Sequence, residues 1–374
     1  MSGNKFDITY LTTDSMNEGV GSSQVLPLIT SLAESGLKVN LMTFEKSFPH
    51  PDIEGALKTL GVNWDVHRFG DKGSVAGIGR LREMYQSIPE SKVVHARSDI
   101  PAVAAAFANQ GPILWDVRGL WSDQKSFTEN KILKRKLYKA TRVLEVYAAY
   151  NSQAISTLTH NIVPELKKRN GKIPELQIVV PTTVDLSKFK LSSKIQTPFT
   201  GLYSGTYNRY YDLGLAASFT KVFLTLSKGD IHWARPKESP QLSLNAGETK
   251  TFTATQQEMN QIIPNYAYGM AVCDTKAGPS LKGAVPTKIA EFLACGRPVV
   301  INEGLGDFDQ LFAEYRAGVI ISRNKANLTQ KVEELLTLLN DPETPIRCRA
   351  LAEDVFDMKI GVKKYMQVYE KISL

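Results

Sequence analysis

Pro286-Thr287-Lys288-Ile289-Ala290-Glu291-Phe292-Leu293-Ala294-Cys295-Gly296-Arg297-Pro298-Val299-Val300 is the stretch whose reading decides the fold. Its pattern predicts a helix over 288–294 followed by a buried strand over 299–301. Pro286 stands where that helix begins, which suits its fixed φ. The first turn offers backbone N–H groups at Thr287 and Lys288, together with a hydroxyl and an ammonium. This is a ready site for a pyrophosphate. Glu291 lies one turn on and on the same side as Lys288, where a carboxylate can accept hydrogen bonds from both hydroxyls of a ribose. The same residues also read as a capped surface helix carrying a Lys288–Glu291 pair.

Outward from this stretch, short apolar runs alternate with amphipathic ones along almost the whole chain. Strands are expected at Phe6–Leu11, Val39–Phe44, Val62–Val66, Val93–Ala96, Ile113–Val117, Ala154–Thr157 and Ile178–Val180. A helix is expected at Ser23–Glu34, with Val25, Leu28, Ile29 and Leu32 at helical spacing. The rhythm breaks near 181–200, where Leu186–Lys194 is short, polar and rich in serine and lysine, like a linker. It restarts with strands at Gly201–Tyr203, Ile231–Ala234, Thr251–Thr253, Met270–Cys273, Val299–Ile301 and Gly318–Ile321. Helices are expected at Leu213–Leu226, Gln256–Ile263, Phe308–Tyr315, Asn327–Leu339 and Gly361–Ile372. This is the βαβ pattern of parallel sheets covered on both faces. The expected class is therefore α/β, with two doubly wound parallel-sheet domains. Ligands in such folds bind beyond the carboxyl ends of the strands.

Composition narrows the function classes. A chain of 374 residues suggests two domains, and 43% hydrophobic residues suffices for buried cores. No apolar run reaches the roughly 18 residues of a membrane helix. Met1–Lys5 has no signal-peptide order, so a cytoplasmic protein is expected. Cys273, Cys295 and Cys348 are few and far apart, which argues for buried reduced thiols over disulfides or zinc. The net charge is +7, and part of it is concentrated in 131–142, with Lys131, Lys134, Arg135, Lys136, Lys139 and Arg142. That stretch reads in two ways. It is a solvated helix whose Ile132, Leu133, Leu137 and Tyr138 enter the core, or an interfacial helix for anionic lipid. As a nucleic-acid site it is weak, and no nucleic-acid partner is expected.

Further residues carry chemistry. After the first strand, Gly19-Val20-Gly21 precedes a helix, but Gln24 stands where a dinucleotide fingerprint has its third glycine. Asp307-Phe308-Asp309 spells an Asp-x-Asp metal motif, yet it opens a helix, where acidic residues complement the dipole. No histidine cluster offers a metal site, so no metal and no cofactor is expected.

Taken together these segments resemble glycosyltransferase family 4. The 286–300 stretch followed by Asn302-Glu303-Gly304-Leu305-Gly306-Asp307 is similar to that family's donor-site signature. In matching order along the chain come Gly19-Val20-Gly21, Val94-His95-Ala96-Arg97-Ser98, Trp115-Asp116-Val117-Arg118-Gly119-Leu120-Trp121, Val180–Phe189, Tyr203-Ser204-Gly205-Thr206 and the terminal helix around Tyr365–Tyr369. The resemblance implies GT-B architecture, with two facing Rossmann-like domains. These would be an acceptor-side domain at 1–188, a nucleotide-sugar domain at 196–357, and a terminal helix at 358–374 crossing back onto the first. It implies a retaining transferase moving sugar from a UDP- or GDP-sugar to a glycan or lipid-linked acceptor in polysaccharide synthesis. The donor would be held by Gly21, Gly205, Arg209, Thr287, Lys288 and Glu291.

Three positions depart from the family pattern. Gly283 stands where the family has a first glutamate near the sugar. Arg209 is the only cation close after Gly205, where the family has an arginine and a lysine. Arg118 replaces a histidine near the reaction centre; it cannot act as a base, but it can stabilise a departing phosphate or orient an acceptor, with Asp116 beside it. Both also read as a buried support pair. A nucleotide-sugar epimerase of the same fold and a silent nucleotide-binding scaffold are the alternative readings.

Overall fold

Runs of β-branched and aromatic residues form thirteen strands among the described residues. The computed structural model describes residues 5–70, 74–205, 208–235, 250–324 and 327–374. Residues 1–4, on which the N-terminal reading rests, and Thr206 and Tyr207 of the second glycine loop lie outside the described residues.

The chain divides into two compact units. The first comprises Met1–Ser122, Ile132–Val180 and Met358–Leu374, and the second Asp123–Lys131 and Pro181–Asp357. In the first lie β1 (Phe6–Leu11), β2 (Val39–Glu45), β3 (Asn63–Arg68), β4 (Ser91–Arg97), β5 (Ile113–Val117), β6 (Ala154–Thr157) and β7 (Leu176–Val179). In the second lie β8 (Thr200–Ser204), β9 (Asp230–Arg235), β10 (Thr251–Thr253), β11 (Tyr268–Ala271), β12 (Val299–Asn302) and β13 (Gly318–Ile321).

The sheets run β3-β2-β1-β4-β5-β6-β7 and β10-β9-β8-β11-β12-β13, with every strand pair parallel. Both are doubly wound. The chain order reverses between β1 and β4 in one unit and between β8 and β11 in the other, which puts a ligand crevice beyond each pair's carboxyl ends.

In the first unit the terminal helix Met358–Ile372 buries Met358, Val362, Tyr365 and Tyr369, spaced to share one face, in a core that includes Ile8, Tyr10 and Ile29. The other face of the same sheet packs Phe44, Trp115 and Ile155. The second unit's core centres on Phe219, Phe223, Trp233 and Tyr268. Cys273, Cys295 and Cys348 are buried, and none forms a disulfide. Burial pushes the thiols of Cys273 and Cys295 up to about 12. Among the described residues, no helix is long and apolar enough to cross a membrane.

The structure departs locally from the sequence expectation. The helix expected from Ser23 is preceded by a wide turn, Gly21–Val25, and becomes regular only over Leu26–Glu34. The helices Thr344–Leu351 and Ala352–Phe356 were not expected. Their buried residues (Thr344, Pro345, Cys348, Leu351, Ala352 and Phe356) include few large apolar side chains at helical spacing.

Candidate functional site

In the second unit the decisive helix spans Thr287–Ala294, and every residue from Lys288 to Ala294 is buried. Lys288 is 8% exposed and Glu291 7%, so the reading as a capped surface helix does not hold. Pro286 occupies the N-cap and makes no side-chain capping hydrogen bond. Lys288 extends to the carboxyl end of β8, where Nζ donates to the Ser204 backbone carbonyl. Gly205 makes room for it. Its φ of +131° lies where glycine is favoured, and a Cβ there would stand 2.4 Å from Lys288 Nζ.

Two aromatic faces complete the ammonium's cage. Nζ lies 4.4 Å from the Tyr211 ring centre and 5.0 Å from that of Tyr203. The segment carrying Tyr211 is stitched to the end of β11. Asp212 N–H donates to Val272 O at 3.1 Å and Asp274 N–H to Tyr210 O at 2.8 Å. Arg323 clamps both aspartates, at 2.8 Å from Asp212 and 2.7 Å from Asp274. Lys288 is thus fixed at the β8/β11 crevice. Burial brings its pKa down from 10.5 to about 8, with the charge of Glu291 among the opposing influences. A cation in this state gains most from an anion that joins it in the low-dielectric site.

Arg209 is placed differently. Its side chain is exposed, donates to Asn130 Oδ1 at 3.4 Å, and lies 5.4 Å from the Phe127 ring centre. Gly283 is buried at the end of the 3₁₀ segment Thr275–Gly283. Asp307 occupies the N-cap of the helix Phe308–Tyr315, with Asp309 in its first turn and no side-chain capping bond. Among the described residues no group of three or more His, Cys, Asp and Glu is arranged to hold a metal ion.

In the first unit Asp116 is the hub of a charged cluster at the ends of β1, β4 and β5. It is completely buried. Ser156 Oγ donates to its Oδ1 at 2.5 Å, His95 Nε2 lies 3.4 Å away, Arg97 Nη1 3.7 Å and Arg118 Nη1 3.6 Å. Burial alone would raise the Asp116 pKa. Arg118, His95 and Arg97 together outweigh it and hold the carboxyl well below the usual range. Burial lowers the His95 pKa and favours the neutral ring, and His95 Nδ1 lies 2.6 Å from the Tyr369 hydroxyl on the terminal helix. Asp116 is therefore enclosed by its own partners. Of its two readings in sequence, this geometry is that of the buried support pair with Arg118.

Arg118 is less enclosed. Gln24 Oε1 accepts from Arg118 Nη2 at 3.1 Å and from Arg97 Nη2 at 2.8 Å, and the Arg118 Nε is buried with no hydrogen-bond partner among the described residues. Arg97 also pairs with Asp14 at 2.9 Å. Gly21 lies in the turn before the first helix, where a Cβ would come within 1.9 Å of the Ser15 carbonyl oxygen. Its glycine is thus demanded by close backbone packing.

Sequence reasoning missed Arg97, Asp14 and Gln24 as members of this cluster, and Ser204 and Tyr211 as partners of Lys288. One signal for the cluster was available. Arg97 ends β4 and Arg118 follows β5, and neighbouring parallel strands bring such residues side by side.

No protein-family model matches the chain, and no curated protein matches it in sequence. Solved structures do match in fold. The sucrose-phosphate synthase of Thermosynechococcus elongatus has a TM-score of 0.70 at 12% identity, covering 97% of this chain and 98% of that one. A glycosyltransferase of Rickettsia africae has a TM-score of 0.68 at 13% identity, covering 99% of each. HepE of Anabaena, solved in complex with UDP, has a TM-score of 0.67 at 11% identity, covering 98% and 100%. The chain has the α/β GT-B fold. At these identities the likeness is one of fold, and residue roles rest on the geometry above.

Proposed function

We propose that this chain is a metal-independent retaining glycosyltransferase. It moves a sugar from a UDP- or GDP-sugar to a glycan or lipid-linked acceptor in surface polysaccharide or glycoconjugate synthesis. The observation that carries the reading is buried Lys288, which reaches the β8/β11 crevice from the opening of the Thr287–Ala294 helix, with Glu291 buried one turn on. The Anabaena neighbour, of like fold, was also solved with UDP-glucose, which favours a nucleotide-sugar donor.

The chemical demand is charge. As the anomeric C–O bond breaks, the sugar becomes oxocarbenium-like and the departing nucleotide gains negative charge. Lys288 supplies a desolvated cation, and the helix opening at Thr287 adds N–H groups and partial positive charge. Glu291 takes the ribose hydroxyls and sets the register of the diphosphate. Arg209 reaches the phosphates on release from Asn130, and Gly205 lets them approach the backbone. In the first unit Arg118, whose side chain is 14% exposed, orients an acceptor, and Asp116 holds it in place. No carboxylate of the family kind stands at Gly283, so the sugar is recognised by other contacts. Attack on the same face the nucleotide leaves, with the phosphate taking the acceptor's proton, fits this set of residues.

Calorimetry of the purified chain with UDP, GDP and ADP, followed by turnover assays of the corresponding sugars with and without an acceptor mixture, tests the proposal. Tight binding of one diphosphate and acceptor-dependent product support it. Sugar conversion without acceptor would make the protein an epimerase. Binding without turnover of any sugar would make it a scaffold.

A further inference from the structure

The helix Ile132–Ala140 has no buried residue. Its two half-buried positions, Arg135 and Tyr138, lie three apart and mark the side turned to the protein. Tyr138 meets the Trp121 ring edge-on at 5.9 Å. Leu133, Leu137 and Ala140 share another side at helical spacing. Leu133 is 80% exposed, Leu137 49% and the neighbouring Ile132 72%. The reading that sent these apolar side chains into the first unit's core is therefore corrected. They face water, and Val143 at the start of the next helix, 66% exposed, does the same.

Cations frame this apolar ridge. Lys134, Lys136 and Lys139 are exposed, and none forms an ion pair among the described residues. Arg142 donates to the backbone carbonyl of Arg169. That bond ties the patch to the last turn of the helix Ile162–Asn170, where Lys167 and Lys168 are also exposed.

We infer that the outer face of the Ile132–Ala140 helix is a docking surface for an anionic phospholipid bilayer. Charge complementarity selects this occupant. A bilayer of acidic lipid supplies both an apolar layer for Leu133 and Leu137 and a negative surface for the lysines around them. A second copy of the chain meeting this face across a two-fold axis would set the same lysines against each other. The inference stands apart from the donor reading, since it rests on a different face and would hold for any activity. If both hold, the acceptor side of the reaction is met at a membrane.

Co-sedimentation of the full chain with phosphatidylcholine vesicles and with mixed phosphatidylcholine–phosphatidylglycerol vesicles tests it. Binding is expected only to the acidic vesicles at low salt, and should be lost when salt shortens the screening length. Replacing Lys134, Lys136 and Lys139 by Gln should weaken it on the order of a hundredfold. The pair Leu133→Ser and Leu137→Ser should weaken it comparably while leaving melting and nucleotide binding unchanged, because these side chains are not core. Absence of binding to acidic vesicles at low salt would overturn the inference, as would binding indifferent to both sets of changes. Sedimentation velocity on the same samples decides the remaining case. A dimer abolished by the leucine replacements, without vesicle binding, would assign the face to a second copy and overturn it too.

Discussion

Lys288 Nζ stands 4.4 Å from the centre of the Tyr211 ring while donating to the carbonyl of Ser204. An ammonium has three donors. The rings of Tyr211 and Tyr203 meet its charge without using N–H groups, and the carbonyl accepts one. This arrangement holds a buried cation in place and keeps donor capacity for an incoming anion.

The first prediction follows from burial holding the Lys288 pKa near 8. Nucleotide affinity that depends on the ammonium should fall about tenfold per pH unit above that value. Lys288→Met should bind weakly and show no such pH dependence. Stability runs the other way. The unfolded chain keeps the proton up to about 10.5 and the folded chain only to about 8, so the ligand-free fold gains stability as pH rises between them. At neutral pH Lys288→Met should then be more stable, by roughly 3 kcal/mol if the whole shift is relieved. Calorimetry and denaturant melts at several pH values check both signs. A less stable variant with unchanged nucleotide affinity would refute the assignment.

Glu291 gives the second prediction. Glu291→Ala should weaken nucleotide binding by about 1–3 kcal/mol, the scale of hydrogen bonds to a charged group. A deoxyribose nucleotide should lose affinity for the native protein and lose little more in the variant. Equal losses in both proteins would show that Glu291 does not touch the ribose.

The expected strand positions and the observed strands coincide to within a few residues. The reason is physical: a strand buried on both faces, such as Val299–Asn302, carries an apolar run (Val299-Val300-Ile301) and announces itself. Lys288 and Glu291 were legible as a pair because a helix fixes which neighbours share a side. What surrounds them was not. Ser204 lies 84 residues from Lys288 in sequence, and no local pattern encodes that approach. Asp116 was legible as half of a buried support pair, but the residues that close over it, Tyr365 and His95, were not. The basic helix was ambiguous because its periodicity fits a core-facing and an outward-facing rotation alike.

Metal dependence is the third prediction. With Lys288 and the helix opening meeting the leaving charge, turnover should persist in excess chelator. Asp309→Asn, in the first turn of its helix, should be mild, costing a few tenths to about 1 kcal/mol of stability through the dipole. Turnover abolished by chelation and restored by Mn²⁺ would mean that a metal carries the charge instead.

The fourth prediction separates Asp116 from Arg118, which lie 3.6 Å apart and for which we propose different tasks. Asp116 is fully buried among His95, Arg97 and Arg118. Asp116→Asn removes the negative charge that two arginines share and should destabilise the first unit by about 3–5 kcal/mol, the cost of breaking a buried ion pair from one side. Arg118 is 14% exposed along its side chain, and Arg97 and His95 stay beside Asp116 when Arg118 is replaced, so Arg118→Gln should melt within about 1 kcal/mol of the native protein. Its turnover should nonetheless fall about a hundredfold if the guanidinium positions the acceptor. Arg118→Lys should recover little, because an ammonium cannot reproduce the planar fork held against Gln24 and Asp116. Nucleotide affinity should be unchanged in both Arg118 variants, since Lys288 and Glu291, the residues proposed to hold the nucleotide, lie in the other unit. Melts, calorimetry and single-turnover rates on the same three proteins decide the matter. If Arg118→Gln destabilises as much as Asp116→Asn and leaves the rate intact, Arg118 is structural and the reacting groups lie elsewhere.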